Sequence, residues 1–228
     1  MRAQGKRRDD LAAAPQARVH SKKRAVGASE RDEFLRAAWR TLLAGELDAH
    51  RLVFVDEMGA NTSLSPLYAW SRRGERAHGK APRNRGKNTT LLASMTAEGM
   101  GPSLAVEGGT TKAVFETYVE RVLAPFLRPG QVVVMDNLSA HKGEEVRELI
   151  EARGCELLFL PPYSPDLNPI EEAFSKVKAL LKKAAARTKE ALVEAMAGAL
   201  AAVTPEDARG WFAHSGYGPR GQSLWIPL

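Results

Sequence analysis

The stretch LPPYSPDLNPIEEAFSKVK, residues 160–178, decides the fold. The run entering it, CELLFL (155–160), is short and apolar, the pattern of a buried strand. Pro161 and Pro162 donate no ladder hydrogen bonds, so the strand stops there. Asn168 is the expected helix N-cap, and Pro169 suits the first helical position, where its missing N–H would be unpaired anyway. Ile170, Phe174, Val177 and Leu181 then recur at helical spacing. Glu171 has two readings. It is a capping-box glutamate reaching back to the Asn168 N–H, or it is a chemical group whose partners lie elsewhere in the chain.

Working outward, two more apolar strands end in acids. RLVFVDEMG gives a buried strand over Leu52–Val55 with Asp56 at its end, and QVVVMDN gives a second ending in Asp136. TTLLASMT (89–96) and PSLAVEG (102–108) read as a hairpin, and Tyr68–Ser71 as a short strand in a polar loop. Helices are expected from Ser29, with a stripe of Phe34, Leu35, Ala38, Trp39, Leu42 and Leu43. Others follow over 111–127, 142–154 and 169–186, with one or two more in 188–217. A hairpin joined to alternating strands and helices implies an α/β fold with a mixed sheet flanked by helices. Sites in open α/β sheets lie at the carboxyl ends of strands, where Asp56, Asp136 and the start of the Glu171 helix fall.

The composition is that of an ordinary globular protein, 44% hydrophobic and 26% charged. The single cysteine, Cys155, excludes an internal disulfide framework and a cysteine zinc cluster, and fits a cytosolic setting. No apolar run reaches the roughly 18 residues of a membrane span, and no signal peptide is visible. The net charge of +6 resides in residues 1–24; the remainder is balanced but segregated. Arg72, Arg73, Arg76, Lys80, Arg83, Arg85 and Lys87 face a single acid in 71–87. Residues 176–189 carry Lys176, Lys178, Lys182 and Lys183 among six basic residues and no acid. Either run is a solvated face or a phosphate-binding patch.

Three carboxylates brought together repel unless a hard divalent cation is bound through oxygen, and Mg²⁺ is the usual choice. Such ions activate the attacking oxygen and stabilise the leaving oxygen of an in-line phosphoryl displacement. Neighbouring basic patches would hold a DNA backbone. VFVDEMG, VVVMDNLSAHK and the stretch quoted above resemble the three motifs of a DDE transposase of the mariner-like bacterial insertion-sequence type. The 34 residues between Asp136 and Glu171 match the spacing of this branch. The resemblance implies an RNase H-like five-stranded sheet and two Mg²⁺ ions that Mn²⁺ can replace, held by Asp56, Asp136 and Glu171. It implies cut-and-paste movement of an element, with insertion at TA and a dimeric synaptic complex. Asn137 and His141 belong to the second motif and would orient substrate or the metal ligands, as would Asn168 if it does more than cap. Glu172 is expected to be a solvated acid, and Trp70 and Trp211 to be core.

The expected organisation is a basic disordered arm over 1–28, a linker helix over 29–50, the catalytic domain over 51–217 and an atypical tail over 218–228. The arm is too short for the helix-turn-helix modules such transposases carry. A truncated copy, or one frame of a split element with an upstream-frame partner polypeptide, is therefore expected. Two other functions compete: a non-catalytic DNA-binding remnant or regulator, and an RNase H-like nuclease without transposition.

Overall fold

A computed structural model describes residues 29–44, 47–66, 68–137 and 143–218. The arm expected over 1–28, His141 and nearly all of the expected tail lie outside these residues. Five strands form one sheet: β1 (Leu52–Ala60), β2 (Thr89–Thr96), β3 (Gly99–Glu107), β4 (Val132–Met135) and β5 (Glu156–Phe159). Their order is β3-β2-β1-β4-β5. The β1–β2 and β2–β3 pairs are antiparallel; β1–β4 and β4–β5 are parallel. The mixed sheet is the one expected.

The helices are α1 (Glu33–Ala38), α2 (Lys112–Tyr118), α3 (Glu144–Glu151), α4 (Ile170–Ala184), α5 (Lys189–Ala201) and α6 (Pro205–His214). They cover both faces, and the strands' two-residue alternation assigns each side chain to one. Leu52, Phe54, Met58, Val132 and Val134 pack with Ile170, Phe174, Val177 and Leu181 of α4 and with residues of α5 and α6. Val53, Val55, Val133 and Met135 pack on the other face with Phe115, Tyr118, Val146 and Ile150 of α2 and α3. By the same alternation Asp56 shares the α4 face with Phe54 and Met58.

Four expectations change. β1 does not end at Val55: its parallel pairing with β4 stops at Val55–Met135, but antiparallel pairing with β2 continues to Ala60–Thr89. Asp56 therefore lies inside a strand and at the carboxyl end of the parallel pair. β3 begins at Gly99 rather than Pro102, which an edge strand tolerates despite its missing N–H. The first helix starts at Glu33 behind an Asp32 N-cap and widens into a π-helical turn over Trp39–Ala44. It leaves Phe34 81% exposed while Arg36 is fully buried, because Arg36 has an acidic partner across the fold. Finally, Tyr68–Ser71 forms no strand, and Trp70 is fully exposed rather than core; Trp211 is partly buried against the core.

Candidate active site

A cavity of about 430 Å³ opens beside the carboxyl end of the β1–β4 pair. Asp56, Asp136, Asn137, Asn168 and Glu171 line it, and the Leu160–Pro165 turn forms its wall. Three different elements supply the acids. Asp56 comes from β1, Asp136 directly follows β4, and Glu171 is the second residue of α4. The candidate phosphate-chemistry residues read from sequence thus share one concavity; His141 lies outside the described residues.

Asp56 is the most enclosed of the three, at 7% exposure. Its Oδ1 accepts the Glu57 N–H at 2.7 Å, and its Oδ2 accepts Asn168 Nδ2 at 2.9 Å. Asn168 is also not the expected side-chain cap. The helix begins at Ile170 after Pro169, with no side-chain capping bond. The Asn168 N–H donates to the Pro165 carbonyl at 3.0 Å, so Glu171 closes no capping box onto it. The Asp56 bond uses the amide N–H₂, whereas a cap would need the amide oxygen to accept a helix N–H. Asn168 Oδ1 remains buried without a hydrogen-bond partner.

The acids share the cavity but do not draw into a tight triad: among the described residues no three His, Cys, Asp or Glu side chains are close enough to hold a metal ion. The donor chemistry still fits a hard cation. Every polar side chain at the cavity's acidic end offers oxygen, none offers sulfur or imidazole, and Asn168 adds a buried carbonyl oxygen without a partner. In the wall, Tyr163 adopts φ 53°, a left-handed conformation that costs a non-glycine residue energy and needs its surroundings to hold it.

Residues 51–193 match the family of DDE superfamily endonucleases. The chain belongs to that family. It is 26% identical to the Tc1 transposable-element transposase of Caenorhabditis elegans over 162 residues, 66% of this chain and 59% of that one. The Tcb2 transposase of Caenorhabditis briggsae is 27% identical over the same shares. The chain therefore spans 59% of the length of these curated relatives. Two solved structures share its fold at 20% identity. The Mos1 strand transfer complex has a TM-score of 0.66, covering 88% of this chain and 63% of that one. The Mos1 mariner paired end complex with Mn has a TM-score of 0.65, covering 88% and 64%. The sheet and helices are the RNase H-like fold that the motifs implied.

Around this cavity the basic residues divide. Arg72, Arg73, Arg76, Lys80, Arg83 and Arg85 are all exposed on the β1–β2 loop. Lys87 is engaged by Glu107 at 3.4 Å. Lys176 binds Asp207 at 2.5 Å, and this ammonium holds the Asp207 carboxyl down at about 2. Of the other α4 lysines, Lys178 and Lys182 are half-buried and Lys183 is exposed. Glu172, expected to be solvated, instead meets His214 Nδ1 at 3.1 Å. Arg187, unremarked in the sequence, donates to the Thr62 and Leu64 carbonyls at 2.9 Å, to Ser65 Oγ at 3.1 Å and to the Lys80 carbonyl at 3.2 Å. It pins the base of the basic loop to the start of α5. Only its place in a basic run hinted at it. Among the described residues no helix is long and apolar enough to cross a membrane.

Proposed function

We propose that this chain is a transposase catalytic domain that cleaves DNA strands and joins them to target DNA. One observation carries the reading: Asp56, Asp136 and Glu171, from three separate elements, line a single cavity in a DDE-family fold. In this reading they hold divalent cations, two Mg²⁺ or Mn²⁺. When bound, the ions would polarise the scissile phosphate and lower the pKa of the attacking hydroxyl. The chain's own residues do the rest. Asn168 and the Glu57 N–H hold both Asp56 oxygens in fixed directions. Asn137, at the cavity edge, orients substrate, and His141 would join it from the second motif.

Arg72, Arg73, Arg76, Lys80, Arg83 and Arg85 are the phosphate contacts on the loop, with Lys178, Lys182 and Lys183 on α4. Lys87 and Lys176 are weaker candidates because each already has an acid. Exposed Trp70 and Tyr68 beside the basic loop run offer faces on which unpaired bases stack. DNA element ends and target DNA are the partners, with a second copy and a helix-turn-helix polypeptide as further partners of the synaptic complex. The chain would act at the nucleoid.

The test is nicking of supercoiled plasmid by the purified chain with Mg²⁺, Mn²⁺ or EDTA, beside Asp136→Asn. Metal-dependent nicking that the variant loses is the expected result. Equal nicking by the variant would sink the proposal. The exposed basic loop would equally serve one other reading, a DNA-binding remnant. That reading predicts salt-sensitive DNA binding with no nicking by the parent.

A further inference from the structure

We infer that Arg36 is a positioning residue for the carboxylate cavity, acting through the Asp166 turn on Asn168 and so on Asp56. The inference rests on the catalytic reading above. It starts from an anomaly: Arg36 is fully buried, on a helix whose apolar Phe34 and Leu35 face outward. Burying a guanidinium is unfavourable unless its donors are met by a well-aligned anion. Arg36 meets Asp166 with both arms of its fork, Nη1 to Oδ1 at 2.9 Å and Nη2 to Oδ2 at 2.7 Å. This bidentate geometry fixes direction as well as distance. Arg40 at 3.1 Å and Arg31 at 3.8 Å reach the same carboxylate from the rim.

Asp166 sits in the one-turn 3-10 segment Pro165–Leu167, immediately before the residue pair that meets the site. The Leu167 and Asn168 N–H groups bond back to the Ser164 and Pro165 carbonyls, so the segment moves as a unit. A second tether grips it. Trp39 Nε1 donates to Tyr217 Oη at 2.8 Å, and Tyr217 Oη donates to the Leu167 carbonyl at 2.8 Å. Asn168, next in the chain, holds Asp56 Oδ2, and the Glu171 N–H bonds to the Asn168 carbonyl. The same turn carries the left-handed Tyr163, which needs external support. Two tethers from the α1 segment therefore set where Asn168 and the start of α4 stand relative to β1. Arg36, Trp39 and Tyr217 all lie outside residues 51–193 that match the family, so the segment before β1 belongs to the site's scaffold.

The experiment measures Mn²⁺ binding to the full chain by the loss of the free-ion electron paramagnetic resonance signal, with nicking kinetics and melting temperature on the same samples. Arg36→Lys keeps the charge but loses the fork; Arg36→Gln loses both; Arg121→Gln, at an exposed arginine paired with Glu120, is the charge control. The expected result is a Mn²⁺ dissociation constant raised at least about threefold in both Arg36 variants, with nicking recovering at high Mn²⁺ and Arg121→Gln unchanged. That is a loss of metal affinity, which a merely destabilised but folded protein would not show. Folded Arg36 variants with wild-type Mn²⁺ affinity would overturn the inference. So would an equal shift in Arg121→Gln, which would point to bulk charge rather than position. If Arg36→Gln does not fold, Arg36→Lys and Asp166→Asn decide by the same readout. Failure of the catalytic reading is distinct: it appears in the wild-type chain, as no Mn²⁺ uptake that Asp136→Asn abolishes.

Discussion

Replacing Tyr217 by phenylalanine isolates the worth of one buried hydroxyl. The ring is 1% exposed and packs against Phe54 at 5.0 Å and Phe212 at 6.2 Å between centroids, and phenylalanine keeps those contacts. What disappears is an oxygen that accepts from Trp39 Nε1 and donates to the Leu167 carbonyl, both at 2.8 Å. Burial pushes the phenol's pKa up, so it stays a donor at every ordinary pH. After Tyr217→Phe the indole N–H of Trp39 and the Leu167 carbonyl are stranded. An orphaned buried polar group costs about 1–3 kcal/mol, and the variant no longer has to desolvate its own hydroxyl. A net loss of about 2–4 kcal/mol follows, which for a chain of this length lowers Tm by roughly 5–12 °C. Urea unfolding and thermal melting monitored by circular dichroism read both figures. The two side chains are also coupled through this hydroxyl. Trp39→Phe made in the Tyr217→Phe background removes a group already stranded, so it costs less there than in the wild type. A single-variant Tm shift below about 2 °C, or strict additivity of the pair, would refute the claim that this hydroxyl bridges two buried groups.

Two further predictions concern charge. The folded-state pKa of Asp207, about 2, lies below its ordinary 3.8, held there chiefly by the Lys176 ammonium. A depressed carboxylate contributes stability fully above its unfolded pKa and loses it as pH falls through the folded value. Asp207→Asn should therefore flatten the fall in urea midpoint between roughly pH 4 and pH 2; an unchanged acid limb would count against the pair. On the loop, replacing Arg72, Arg73 and Arg76 together by glutamine should reduce the salt slope of duplex DNA binding by about 2–3 in log–log units. Trp70→Ala should weaken single-stranded DNA binding several-fold and leave Tm within about 1 °C, since the side chain is fully exposed. Fluorescence anisotropy at several salt concentrations checks both, and an unchanged slope with unchanged single-strand affinity would remove the loop from the DNA surface.

The sheet was legible where the apolar runs were unbroken. Val132–Met135 is buried on both faces, and the run into Leu160 carries the same apolar signal although Leu158 and Phe159 are only partly buried. β1 was legible only as far as Val55. Beyond it the strand continues as Asp56–Ala60, held by pairing with β2, and side-chain pattern does not report backbone pairing with a distant strand. The outer hairpin was visible as two short runs either side of a glycine turn, but the true start of β3 at Gly99 was masked by glycine and proline that read as turn. Trp70 was misjudged for a related reason: a large aromatic has a strong average preference for burial, and only the path of the loop exposes it.

The site divides along the same physical line. Acids at strand ends are a local signal, and the spacing between Asp136 and Glu171 a nearly local one, so the composition of the cavity could be read directly. Asn168 shows where local reading stops. Asn followed by Pro before an apolar helix has the pattern of a cap, and nothing nearby argues otherwise. The partner that orients its side chain is Asp56, 112 residues away in sequence, which accepts the amide N–H₂ while the amide oxygen makes no cap. Arg36 repeats the lesson with larger consequences. On the helical wheel it is an ordinary solvent-side arginine; in the fold it is fully buried because Asp166, 130 residues on, demands a partner. Charge pairing can thus shift the buried side that apolar periodicity assigns to a short helix: Trp39 of the expected stripe stays buried while Phe34 is exposed. A helix of six residues exposes too little apolar surface to resist. The acids that line the cavity announce themselves in sequence, whereas the side chains that fix their surroundings do so only through contacts the chain makes when folded.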